Sequence, residues 1–187
     1  MPITESQLRP WIGEQVHWSR FFPAWLVKIY RAGLAEGHSP QQLEPLLEQL
    51  DQELSEGHPE MLMRTLPDLP VFTRPDRQVI DMMKYVQRCD DFDTSVVLLA
   101  ENERFAAQLW QALLREVAHI EGFDPSFFIR HVELDEGEHA VGVASLLELA
   151  GNPSMPGSVR HFRTQRMNHL RQHFGDQVDA WYDWHAM

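Results

Sequence analysis

The sequence predicts an all-α protein folded as a single helical bundle. Three observations lead there. Helix start and stop signals recur along the whole chain: Ser, Thr or Asp caps, prolines at first helical positions and glycines beyond the ends. Between these signals apolar residues return at spacings of three and four. No stretch alternates apolar and polar residues for long enough to form a sheet. The 187 residues suit one domain, 1–187, with volume for a substantial core. No internal repeat, low-complexity tract or linker divides them.

Thr4 followed by Gln7 reads as a capping box opening a first helix that runs to about Leu34, with Gly37 just beyond. Pro10 and Pro23 fall inside it, and each is expected to bend or interrupt it. Ser39-Pro40-Gln41-Gln42 starts a second helix, in which Leu43, Leu46, Leu47, Leu50 and Leu54 share an apolar face. Gly57 breaks that helix and His58-Pro59 opens a short one. Leu66 to Pro75, rich in proline, is a loop. A helix follows over 76–88, and a long one from Asp93-Thr94 to about Glu121. Asp124-Pro125 opens the next, which runs to Ala150 and stops at Gly151. After a loop over 152–157, one or two helices finish the chain, giving about seven in all.

Composition narrows the function classes. Apolar residues make up 43% and charged residues 24%, ordinary for a globular protein. The longest apolar run, around Val96–Ala100, is far short of the ~20 residues a membrane span needs, so no membrane is expected. The N-terminus lacks a basic region followed by an apolar stretch, and a cytoplasmic protein is expected. Cys89 is the single cysteine, which excludes an intramolecular disulfide. A net charge of −12 disfavours nucleic acid as a partner. Near the C-terminus Arg160, Arg163, Arg166 and Arg171 run together with His161, His169 and His173; they read as a solvated face, with a site for a substrate carboxylate as the sharper alternative.

The chemistry lies in carboxylates and histidines placed on helices. In Arg130-His-Val-Glu-Leu-Asp-Glu-Gly-Glu-His139, the residues His131, Asp135 and His139 fall at about 0°, 40° and 80° around a straight helix and share one side. Imidazole with carboxylate suits iron, manganese or zinc. In the preceding long helix, Glu103 sits within an apolar stripe formed by Val96, Leu99, Ala106 and Trp110. A buried carboxylate needs a cation or a metal beside it. Glu101, two residues earlier on a wetter face, competes for this role; Glu103 is preferred. Glu53 and His58 flank the glycine break at Gly57, which lets them approach one centre although one straight helix would hold them ~140° apart. Three carboxylates and three imidazoles from separate helices make the composition of a dinuclear iron site, built by inward-facing side chains of a bundle.

With these residues in view the chain resembles the haem-oxygenase-like di-iron oxidases, relatives in fold of the TenA thiaminases and of PqqC. The likeness covers most of the chain. Leu-Arg-Pro-Trp11 with Arg20-Phe-Phe-Pro-Ala-Trp-Leu26 is similar to the family's first helix. Asp51-Gln-Glu-Leu-Ser-Glu-Gly-His-Pro-Glu-Met-Leu62 resembles its glutamate–histidine motif, and Phe127-Phe-Ile-Arg-His-Val-Glu-Leu-Asp-Glu-Gly-Glu-His-Ala140 its histidine–aspartate–histidine helix. The resemblance implies a haem-oxygenase-like, TenA-like bundle with two non-haem Fe2+ ions, O2 as co-substrate and oxidation of a small amino-acid-like or fatty-acid-like substrate. An external electron donor is allowed, and so is a homodimer, since the fold often dimerises. It further implies that Glu53 and His58 bind one iron with Asp135 or His139, that Glu103 bridges or caps, and that His131 completes the second iron. The step from His131 to His139 is one residue longer than the family's commonest spacing, and a π-bulge would restore the geometry.

Three rival readings stand beside this one. A metal-free TenA-like or PqqC-like enzyme would draw on Cys89, but the neighbouring Asp90 and Asp91 should blunt that thiol. Haem binding would use a histidine early in the chain, such as His17. A helical scaffold would keep the fold without metal.

Overall fold

A computed structural model describes residues 2–69 and 74–182, apart from the side chains of residues 135 and 136. It is all-α: among the described residues there are eight α-helices, a closing 3-10 helix and no strand. The α-helices are α1 (Glu5–Ala35), α2 (Glu44–Ser55), α3 (His58–Arg64), α4 (Arg77–Arg88), α5 (Phe92–Val117), α6 (Ser126–Glu136), α7 (Glu138–Leu149) and α8 (Pro156–Phe174). The 3-10 helix covers Gly175–Ala180. No helix of the described residues is long and apolar enough to cross a membrane.

The helix signals act largely as read. Thr4 and Gln7 form the expected capping box, with the Thr4 N–H donating to Gln7 Oε1 at 3.0 Å. Asp76 caps α4 by accepting from the Gln78 N–H at 2.7 Å. Asp91 caps α5 through the Thr94 N–H, also at 2.7 Å, so that helix begins slightly before the expected Asp93. Pro10 and Pro23 do not interrupt α1. Its neighbours α2, α3, α4, α5 and α8 hold it along its length, and this packing outweighs the backbone hydrogen bonds that the prolines cannot donate.

Two boundaries differ from expectation. Ser39 and Gln42 exchange cap-like hydrogen bonds, yet residues 40–43 form turns and α2 starts at Glu44 with Pro45 in its first turn. The apolar face of α2 is also narrower than its leucines suggest: Leu43 and Leu46 are buried, whereas Leu54 is 66% exposed. The expected helix over 125–150 is two helices, α6 and α7, meeting at Gly137.

α5 is the central element and packs on α1, α6, α7 and α8. The core forms two clusters along it. One gathers Trp11, Trp110, Phe127, Phe128 and Phe174. The other gathers Trp18, Trp25, Phe92, Leu99 and Phe162. Burial of such side chains, about 1.5–3 kcal/mol each for the larger aliphatics and phenylalanine, is the main force closing the bundle. A layer of buried polar residues lies between the two clusters, and it contains the site.

Candidate metal centre

Glycine breaks position two of the three histidines. At Gly57 the backbone turns left-handed, with φ 65°, so α2 ends at Ser55 and α3 restarts with His58 in its first turn. Glu53, on the last turn of α2, thereby faces the opening of α3: His58 Nδ1 lies 2.9 Å from Glu53 Oε2. At Gly137 the backbone has φ −110° and ψ −103°, and a Cβ there would stand 2.9 Å from the Glu133 carbonyl oxygen. This kink replaces the expected π-bulge. It takes up the additional residue between His131 and His139, so that both imidazoles line one cavity.

That cavity has a volume of about 50 Å³, room for a few water-sized species. Glu53, Glu103, His131 and His139 line it, with Trp18, Phe22, Leu62, Trp110 and Phe127 as apolar walls. Phe105 and Trp25 pack in the same core clusters but do not line the cavity. Donor atoms of Glu53, His58 and His131 all lie within 4.8 Å of one another, and the His58 and His131 rings are 4.3 Å apart. Glu103 Oε2 lies 3.3 Å from His139 Nδ1. Five of the six sequence-derived candidates thus converge from α2, α3, α5, α6 and α7. The sixth, Asp135, is on α6, but its side chain lies outside the described residues.

Each histidine has one ring nitrogen engaged by a partner other than Glu53 or Glu103. His131 Nδ1–H donates to the Phe127 carbonyl at 2.9 Å, which leaves the lone pair on Nε2. Glu56 Oε2 accepts from His58 Nε2 at 3.3 Å, and Arg130 clamps Glu56 through Nε at 2.9 Å and Nη2 at 2.5 Å. His139 Nε2 donates to Gln52 Oε1 at 2.8 Å, turning Nδ1 toward Glu103. A metal-binding histidine characteristically has such an outer partner, because it fixes the tautomer and the ring plane. His58 Nδ1 is fully buried and, although close to Glu53, lies off the line of any hydrogen bond. A cation beside Glu53 would give that nitrogen a partner.

Electrostatics separate the two neighbouring imidazoles. Burial holds His131 down to about 3, helped by the adjacent His58, so it is neutral at physiological pH and able to act as a donor. His58 is also penalised by burial, but the adjacent carboxylates of Glu53 and Glu56 outweigh this and raise it. Metal binding would release that proton.

Glu101 is not at the centre. Arg163 Nε donates to its Oε1 at 2.5 Å, and Arg104 bonds its Oε2. Only Glu103 of the two faces the cavity, with Asn102 Nδ2 donating to its Oε1 at 3.2 Å. Cys89 packs at the edge of the second core cluster, and its thiol donates to the Tyr85 carbonyl. Burial raises the thiol, so it makes a poor nucleophile, and it does not line the cavity.

Several site residues escaped the sequence reading. Glu56 and Arg130 adjoin Gly57 and His131 in the chain, and that adjacency to candidate ligands was the available signal. The basic C-terminal stretch is not simply a solvated face: Arg166 and His169 are buried. Arg166 lines the cavity with its guanidinium over the rings of Phe105 (4.8 Å) and Trp18 (5.2 Å). Burial lowers it to about 10, so it stays charged. Phe162, Arg166, His169 and His173 recur at steps of four and three, and that helical face was visible in the sequence.

No family model matches this chain, and no curated protein matches it.

Proposed function

We propose that this centre holds two Fe2+ ions and that the protein is a non-haem, O2-activating oxidase or oxygenase of the haem-oxygenase-like type. The observation that carries the reading is that Glu53, Glu103, His131 and His139 line one largely apolar-walled cavity, with His58 packed against Glu53 and His131 and each histidine's other nitrogen engaged. Asp135 is the sixth ligand in this reading. Mixed carboxylate and imidazole donors from several helices suit non-haem iron. When bound, ferrous iron would supply the electrons that reduce O2, with an external donor restoring them.

The chain's own residues hold, orient and exclude. Glu56, Phe127 and Gln52 fix the ring planes of His58, His131 and His139. Trp110, Phe127 and Leu62 keep bulk water away. Arg166 brings a buried cation whose Nε has no hydrogen-bond partner. The carboxylate of an amino-acid-like or fatty-acid-like substrate would complement it.

Anaerobic Fe(II) titration of the metal-free protein, followed by an O2 pulse with stopped-flow absorbance, tests this. About two irons per chain and a transient visible band are expected. The band should vanish in His131→Ala and Glu103→Gln. Absence of both iron uptake and band in the wild type would overturn the reading.

A further inference from the structure

A second carboxylate–imidazole cluster lies where α1 packs on α8. Glu14 projects from α1, and His169 and His173 from successive turns of α8. Their donor atoms all lie within 4.8 Å of one another. His169 Nε2 hydrogen-bonds Glu14 Oε2 at 2.5 Å, and His173 Nε2 approaches the same oxygen at 3.4 Å. The two imidazole rings are 5.1 Å apart and steeply inclined, at 76°. The side chains are largely withdrawn from solvent, with exposures of 2% for His169, 8% for His173 and 14% for Glu14.

We propose that Glu14, His169 and His173 form a further divalent-metal site, suited to zinc and sharing no ligand with the centre described above. A plain hydrogen-bonded trio accounts for His169 but not for His173. The Nε2 of His173 is buried, faces the carboxylate and makes no hydrogen bond. Leaving a buried nitrogen unpartnered costs about 1–3 kcal/mol. A cation between the three side chains would serve both nitrogens and the oxygen at once. Two histidines four residues apart on one helix face, with a carboxylate from another element, form the donor set of three-ligand zinc sites, which leave one position open. His17, three residues beyond Glu14 on α1, adds another buried Nε2 with no hydrogen-bond partner. Because Glu14 is already drawn onto His169, metal must displace that hydrogen bond, and the site should be weaker than the preorganised centre.

The test is Zn2+ binding to metal-free protein, read by competition with a chromophoric chelator and by the visible spectrum of the Co2+ form. Wild type, Glu14→Gln, His173→Asn and Glu53→Gln are compared, with folding checked by circular dichroism. Glu14→Gln and His173→Asn should lose the same single equivalent, or weaken it beyond the roughly 10–100-fold typical of losing an outer-sphere partner. Glu53→Gln should keep that equivalent. Wild-type stoichiometry and affinity in both α1–α8 variants would overturn the proposal, and His173→Asn alone decides if Glu14→Gln does not fold. A wild type whose only zinc is the equivalent lost in Glu14→Gln would support this site, whatever the iron titration of the other centre shows. A wild type that binds no zinc would overturn this site.

Discussion

The two carboxylate–histidine clusters use the same residue types but differ in how the histidines are held. At the centre between α2, α3 and α6, Glu56 engages His58 and the Phe127 carbonyl engages His131, and the inward nitrogens converge on Glu53. At the α1–α8 seam one carboxylate oxygen faces both inward nitrogens, and His169 is already bonded to it. The first cluster surrounds a cavity; the second has closed on itself. Outer contacts of this kind keep potential ligands from satisfying one another, which is what an open metal site needs.

Acid should break the contrast most strongly. Burial depresses His131 to about 3 from its ordinary 6.5, so the unfolded chain takes up the proton first. Its contribution to stability is complete above about pH 6.5 and is lost as pH falls toward 3. Burial lowers His169 as well, against the pull of Glu14, with the same sign. Glu14 is raised by burial but held near 2 by its hydrogen bond with His169 and by the nearby His173 imidazole; Glu56 is held near 2 chiefly by Arg130. Both extend the loss below their ordinary 4.5. His58 opposes, since its raised value adds stability below pH 6.5 that fades as pH rises through the folded value. The urea midpoint of metal-free protein should fall between pH 6.5 and 4.5, and His131→Gln should flatten the fall. A profile already flat in wild type would contradict a buried neutral His131.

Gly137→Ala addresses the kink that brings His139 beside His131. The new Cβ would meet the Glu133 carbonyl at 2.9 Å, and strain of this kind costs about 1–3 kcal/mol. For a chain of this size each 1 kcal/mol lowers Tm by roughly 2–4 °C. Calorimetry should show that drop together with weakened iron binding, while zinc at the α1–α8 seam is unchanged. An unaltered Tm would mean that the kink is not strained by a side chain.

Glu56→Gln should have the smallest effect on stability, because its partly exposed pair with Arg130 is worth about 0–1 kcal/mol. It should still weaken iron binding at the centre by roughly 10–100-fold, through loss of the charge that orients His58. Iron titration against the same variant's urea curve separates the two effects. Equal iron affinity in variant and wild type would show that Glu56 does not orient the ligand.

Much of the bundle was legible in the sequence. Asp76, the Gly57 break and the uninterrupted spacing of α5 are local signals, written within a few residues of where they act. The candidate ligands were legible for a related reason: a carboxylate such as Glu103 inside an apolar stripe is conspicuous because burying it alone is costly. The α2 start was misread because Ser39 and Gln42 do form the expected cap-like contacts but hold turns rather than a helix.

By itself the sequence determined the all-helical class, most helix boundaries and the short list of residues able to bind metal, since capping and periodicity are local properties. Tertiary structure decided which of those residues meet. Arg163 and Arg104 take Glu101 away from the centre, Gly137 turns His139 into it, and Arg130 secures Glu56 behind His58. These outcomes depend on groups far apart in the chain, and only packing the helices brings them within a few ångströms. The pairing of Glu14 with His169 and His173 across some 155 residues was likewise a matter of how α1 lies on α8.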